Sequence, residues 1–501
     1  MRQFSTLDYL MVVLYLIGIA ALGSSFYRRR STAREYFLGG RSFSWLPAGI
    51  SIVAADLSAI TLMGSTGWAY KHNLQLAWAV CGFVLMAPVA IYVFVPFFSR
   101  LNLYTAYEYL ERRFGLEVRL LGSALFQILR GGHVAIAIYG PALVINLVTD
   151  IPVWKCILLM GVFTTFYTTL GGMKAVIWTD VIQFCTVITG LGVICWTALG
   201  HIPGGLTEVY EVARGAGKLD LLNLSTDPSE MTSLWACLIG GSFLTLAPLA
   251  TDQALLQRMF TTRSPKDCRQ SVLLQAVINP QVGVLLYLVG ITLFVFYRLN
   301  QGHLAGLKEA DAILPFFAVH ELPVGISGLV IAAIFAASMA VMSAGINALT
   351  TATTVDFYQR LFRPNLTSEH YAMVGRAGTL AWGVVVTGLA LFARHLGDLA
   401  IAYNRLSSLV SGPLLGVFLL GMTTRRATSR GAMVGAAAGI AAVTGVLLAF
   451  RWSFFYHGPT GLLVTVVVGY AASLFTAPPT PEATSGLVMG QMPPDAVQAN
   501  P

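Results

Sequence analysis

Charge is what this 501-residue chain has least of: 11% of its residues are Asp, Glu, Lys or Arg, against about 25% in a soluble domain. Histidine (8) and cysteine (6) are also scarce, and no CxxC or Cys/His metal spacing occurs. HExxH and GxSxG motifs are missing. Acidic residues inside apolar runs come one to a run, so the clustered acids, bases or metal ligands of a membrane enzyme are lacking and no cofactor is expected. Cys81, Cys156, Cys185, Cys195 and Cys237 lie in or at the ends of apolar runs and Cys268 lies in a basic connection, so no disulfide framework is implied.

What fills the chain instead is apolar: 56% hydrophobic residues and a mean hydropathy of +0.71 place it among polytopic membrane proteins, all-α in class. Runs of about 20 apolar residues recur near 7–27, 45–70, 75–97, 120–147, 153–170, 179–199, 233–251, 272–297, 322–354, 372–394, 397–421, 431–450 and 459–477, which predicts about thirteen transmembrane helices. The net charge of +8 is explained by orientation rather than by nucleic acid. Most lysines and arginines fall in the odd-numbered connections, which predicts the N-terminus out and the C-terminus in, within a plasma (inner) membrane. The first run is followed by its positive cluster and has no A-x-A site, so it is read as a span and not a cleaved signal. From Ala477 the Pro- and Ala-rich stretch reads as a disordered tail.

Inside the spans, ionisable residues are rare, and such residues mark functional sites by default. Asp56, Arg130, His133, Asp180 and Arg405 are the main set. A structural alternative stays open: Asp56 pairs with Arg405, and His133 bonds a carbonyl. The run around Asp56 carries Ser51, Ser58, Thr61, Gly64, Ser65 and Gly67, and the run 233–251 carries Gly240, Gly241 and Pro248. Both look interruptible, and paired interrupted helices point to a midplane site in transporters built from inverted repeats.

Six ordered motifs, "EYFLGGRSFSWLPAGISIVAADLSAIT", "YTAYEYLERRFG", "TTLGGMKAVIWTDVIQ", "DQALLQRM", "IAAIFAASMAVMSAGINALTTATTVDFYQR" and "SGPLLGVFLLGMTTRRATSRGAMVGAAAG", together resemble the sodium:solute symporter family. The likeness is closest to the branch holding bacterial sialic acid transporters and monocarboxylate or vitamin carriers. It implies a LeuT-like fold of inverted five-helix repeats. The expected units are an N-terminal extra helix and basic loop (1–43), a first repeat (44–199), an extracellular loop (200–232), a second repeat (233–421), two peripheral helices (422–477) and the tail (478–501).

The resemblance also implies a sodium site made by Ala54 and Leu57 on the first core helix with Ala337, Ala340 and Val341 on the eighth. The family usually carries Ser or Thr at the last two positions, so two side-chain oxygens are missing here, and Asp56 is the obvious replacement ligand. A less general second sodium site would use Asp180 and Ser343. Family substrate contacts fall on Ser58 and Thr61, and near His133, where the sialic acid carriers have Arg. Arg405 stands where sugar carriers have a substrate-binding Gln, and its planar fork suits a carboxylate.

The expected function is sodium-coupled symport of a small organic anion, such as a sugar acid or small carboxylate, by alternating access. The alternative is a proton-coupled or ion-independent carrier of a neutral sugar or polyol, with Asp56 and His133 taking a proton. Partners are the solute, Na+ and the lipid bilayer, and oligomeric state is left open by the sequence. An enzyme, a solute sensor and a channel are the rival classes.

Overall fold

A computed structural model describes residues 4–27, 31–304, 307, 309–392 and 399–489, and among them the regular elements are helices joined by one isolated bridge, Phe43–Thr262. The elements that position the site are α1 (Thr6–Ser25), α2 (Trp45–Asp56), α3 (Ala59–Lys71), α4 (Gln75–Leu101), α5 (Tyr107–Phe114), α6 (Leu116–Thr149), α7 (Val153–Gly200), α8 (Leu234–Thr251), α9 (Gln253–Phe260), α10 (Pro265–Leu299), α11 (Ile326–Phe362), α12 (Ser368–Phe392), α13 (Leu399–Thr423), α14 (Ser429–Ala449) and α15 (Phe454–Leu474).

Among the described residues, ten helices are long and apolar enough to cross a membrane, or eleven if the bent pair α2 and α3 forms one span. The chain is a multi-pass helical protein. Two features bear on the finer count of thirteen. Helix α7 runs for 48 residues, about 72 Å at 1.5 Å per residue, against a hydrocarbon core of about 30 Å. It is two helices merged across a kink at Gly172, whose φ of 55° and ψ of −146° are not helical; the positive φ suits glycine. In α13, the apolar stretch Leu409–Thr423 is shorter than a full span.

Helix α11 is the buried axis, with α1, α6, α7 and α12 packed around it. Helix α10 lies along both α2 and α3, and α8 packs against α4, α13 and α15. At one end, buried Asp356 of α11 accepts from Arg119 of α6 (2.6 Å), and Arg119 also reaches Glu111 of α5 (2.6 Å), which Arg360 of α11 holds from its other side (2.5 Å). Desolvation raises the Glu111 pKa, but the two arginines outweigh it and the carboxyl is held below its usual range. That depressed pKa contributes stability at neutral pH, which is lost as pH falls through the carboxylate range.

The structure corrects two expectations. The second interruption does not fall at Gly240 or Gly241: both stay helical in α8. Their missing side chains admit the Phe455 ring and the Ala79 backbone. The break comes at Asp252, where the backbone turns extended (φ −86°, ψ 113°) before α9 starts. The tail is ordered over its first part. Leu487 and Val488 are buried, Leu487 O accepts from Tyr109 Oη (3.2 Å), and Met489 N donates to Met422 O (2.7 Å). A few apolar residues in a polar stretch suffice to dock it, as area burial predicts. Residues 490–501 lie outside the described set.

Candidate solute and ion site

Helix α2 ends at Asp56 and α3 starts at Ala59 after a bend of 62°. Ser58 caps α3 by accepting from Thr61 N (3.1 Å), while its own N–H donates to Asp56 O (3.0 Å). In an unbroken helix Ser58 N would serve Ala54 O and Thr61 N would serve Leu57 O. Both donors are diverted, so the carbonyls of Ala54 and Leu57 lack their helical partners. The Ser58 hydroxyl is also 3.0 Å from Thr61 Oγ1, which commits it to the bend.

The Asp56 carboxylate turns toward α10. Its Oδ2 accepts from Gln275 Nε2 and from Asn279 Nδ2 (3.2 Å). These two amides are four residues apart, on one face of α10. Asp56 was expected to make up for the oxygens missing on α11; its hydrogen bonds go to α10 instead. On α11, Ala337, Ala340 and Val341 are buried and carry no side-chain oxygen. Arg405 lies on α13, with its side chain outside the described residues, so its pairing with Asp56 is not described.

A cavity of about 440 Å³ opens beside this bend. Asp56 at the end of α2, Thr61 and Ser65 on α3, and Asn279 and Tyr287 on α10 give it polar lining, and apolar residues of α4, α8 and α15, such as Val80, Phe83, Leu244 and Phe455, supply much of the rest. Thr61 thus faces the cavity. Size and mixed lining are those of a small-molecule site.

His133 sits apart from that lining, in a smaller pocket of about 110 Å³ between α6, the break after α8, and α13. There Arg130 Nη1 lies 3.1 Å from Asp252 Oδ2 and 3.3 Å from His133 Nδ1. Asp252 also caps α9 through its Oδ1 (2.7 Å to Ala254 N), so one carboxylate both restarts the helix and holds α6 to the break.

Asp180 and Ser343 come together, 3.4 Å apart, but with a third partner. Arg258 Nη2 lies 2.8 Å from Asp180 Oδ2, and both side chains are fully buried. Ser51 Oγ donates to the same oxygen (2.5 Å) and accepts from Arg258 Nε (2.7 Å). Arg258 and Ser51 thus hold Oδ2, while Oδ1 faces Ser343, so a cation entering here shares the carboxylate with a guanidinium or displaces it.

Four functional candidates escaped the sequence reading: Asp252, Arg258, Gln275 and Asn279. Asp252 and Arg258 stand in the motif "DQALLQRM", and the two amides repeat at i and i+4 inside an otherwise apolar run, a signal that polar residues in spans deserve weight.

The family model described as the sodium:solute symporter family matches residues 36–439. The chain is 34% identical over 472 residues to a sodium/sialic acid symporter, NanT, of Aliivibrio fischeri, covering 94% of this chain and 93% of that protein. It is 31% identical to the human sodium/iodide cotransporter, covering 87% and 69%. A solved structure, titled as a substrate-bound outward-open state of a Na+-coupled sialic acid symporter, superposes with a TM-score of 0.88 at 29% identity, over 95% of this chain and 99% of that one. Mhp1, a nucleobase-cation-symport-1 transporter at 12% identity and a TM-score of 0.56, shares the fold alone.

Proposed function

The chain belongs to the sodium:solute symporter family, and we propose that it uses the sodium gradient to accumulate a small organic anion, either a sugar acid of the sialic type or a small carboxylate, by alternating access. The observation that carries this reading is the broken helix α2–α3, which leaves two carbonyls without helical donors and sets the Asp56 carboxylate at the edge of a 440 Å³ cavity, in a chain that matches a sialic acid symporter over nearly its full length.

In this reading sodium binds at the bend, with Ala54 and Leu57 giving carbonyls, Ala337, Ala340 and Val341 packing from α11, and Asp56 giving charge from the α10 side. Asp180 and Ser343 are the place for a second ion. Ser58 and Thr61 shape the solute site, and His133 and Arg405 are the further solute contacts that the family resemblance implies. The membrane arrangement is thirteen crossings, obtained by dividing α7 at Gly172 and counting α13, with the N-terminus out and the C-terminus in. Repeats 44–199 and 233–421 then each begin with a broken helix, and the membrane is the plasma (inner) membrane.

The deciding experiment loads purified protein into liposomes and imposes one gradient at a time. Inward sodium drives accumulation of N-acetylneuraminate or of a small monocarboxylate. Uptake driven by a proton gradient alone, or uptake indifferent to both, refutes the reading.

Arg405 separates anionic from neutral solutes. A charge-assisted contact is worth about 1.5–3 kcal/mol, so Arg405→Gln weakens anion binding by about 10- to 150-fold, with partial rescue by lysine, which lacks the planar fork. Isothermal titration in saturating sodium reads this directly. Unchanged affinity assigns the anion contact elsewhere.

A further inference from the structure

The large cavity poses an electrostatic problem for an anionic solute. Of the described residues lining it, the one that carries a formal charge is Asp56, and that charge has the same sign as the solute's. Like charges a few ångströms apart in a poorly polarisable interior repel strongly. The Arg130 guanidinium lines the separate small pocket and is already held by Asp252.

The surroundings of Asp56 are suited to resolving this. Both amide donors converge on Oδ2, which leaves Oδ1 without a donor among the described residues, on a side chain that lines the cavity. Gln275 is 2% exposed and Asn279 9%, and each is an amide whose oxygen and nitrogen exchange places by a half-turn of its last torsion. Two half-turns convert a set of donors around a carboxylate into a set of oxygens around a cation. Helix α10 carries both amides on one face, the bend beside them has carbonyls without helical donors, and unwound carbonyls are the usual cation ligands in broken transporter helices.

We infer that a sodium ion binds on the α10 side of Asp56, held by its carboxylate and by the amide oxygens of Gln275 and Asn279, and that this ion receives the solute's carboxylate. The cation turns the repulsion between two carboxylates into an attraction through a shared charge. Sodium therefore binds before the anion, and coupling is direct: without the ion the anion meets the negative charge of Asp56, which neutral amides do not cancel. The contact with the solute rests on the solute being an anion; the cation site does not.

The test has two arms, both on the full-length protein in detergent. In the first, 22Na+ binding is measured without any solute. Gln275→Leu, Asn279→Leu and Asp56→Asn each weaken it by at least about tenfold, since each removes an oxygen or the charge, whereas Asn279→Asp, which keeps an oxygen, retains it. Thermal unfolding of each variant establishes that it is folded, and the aspartate variant keeps the test alive if a leucine variant is not. Sodium affinity within twofold of wild type in both leucine variants overturns the site.

In the second arm, N-acetylneuraminate, lactate and acetate are titrated with and without sodium. For the wild type, affinity rises with sodium; for Asp56→Asn, it no longer depends on sodium. Full sodium dependence in Asp56→Asn overturns the bridging role. Normal results in the first arm with no binding of any carboxylate in the second overturn the anion reading of the function and leave the cation site standing.

Discussion

Proteoliposomes carrying Asp56→Asn let the solute equilibrate but no longer concentrate it. The expected loss is complete, because the variant keeps the cavity, the bend and the α10 amides but removes the charge that binds the coupling ion. For the wild type, a tenfold sodium gradient supplies about 1.4 kcal/mol per ion. One sodium carried with one monoanion moves no net charge, so accumulation levels off near tenfold and ignores the membrane potential. Two sodium ions move one net charge, and the potential then adds about 2.3 kcal/mol per 100 mV. Uptake against valinomycin-set potentials therefore reads the stoichiometry in the wild type and the uncoupling in Asp56→Asn. Sodium-driven accumulation that survives in Asp56→Asn removes this residue from the ion path.

Arg258→Met costs about 3–5 kcal/mol of stability, the usual penalty for leaving one partner of a buried ion pair uncompensated. Arg258 and Asp180 are both fully buried, 2.8 Å apart, and the pair spans α9 and α7 with Ser51 of α2 between them. Arg258→Met combined with Asp180→Leu recovers most of the loss, because neither charge is then stranded. Thermal unfolding in detergent measures all three proteins.

The same experiment bears on the second ion. Once Arg258 is gone, Asp180 and Ser343 are open to a cation, and binding to the folded state raises stability by RT ln(1 + [L]/Kd). A larger sodium-dependent gain for Arg258→Met than for the wild type makes this a cation site that the arginine occupies. Equal gains in both proteins show that the arginine does not hold the place of an ion at Asp180.

The class of this protein is written in its composition, because apolar runs of bilayer length are incompatible with a water-exposed fold whatever their tertiary arrangement. The first broken helix was legible for a similar local reason. Ser58 can cap only a helix that starts just after it, and small residues on both sides weaken the helix through Asp56. The family was legible as well, since its motifs are linear.

What the sequence left undecided is where long-range packing chooses. Gly240 and Gly241 mark a weak helix, yet Phe455 and Ala79 fill the space beside them and keep it helical, so the break moves to Asp252, whose side chain caps α9. Leu487 and Val488 look like tail residues until Tyr109 and Met422, far back in the chain, provide a place to dock. Asp180 was recognisable as an intramembrane acid; that Arg258, 78 residues on, neutralises it depends on how α7 and α9 meet. Asp56 is the clearest case. Its charge and its cost are evident from the residues around it, but its partners lie 219 and 223 residues away. Which neighbour a carboxylate faces is set by the rotamer that the surrounding helices permit. The sequence by itself determined that an acid sits in the membrane at a broken helix; only the packing of α10 along α2 and α3 decided that it faces two amides and the cavity rather than α11.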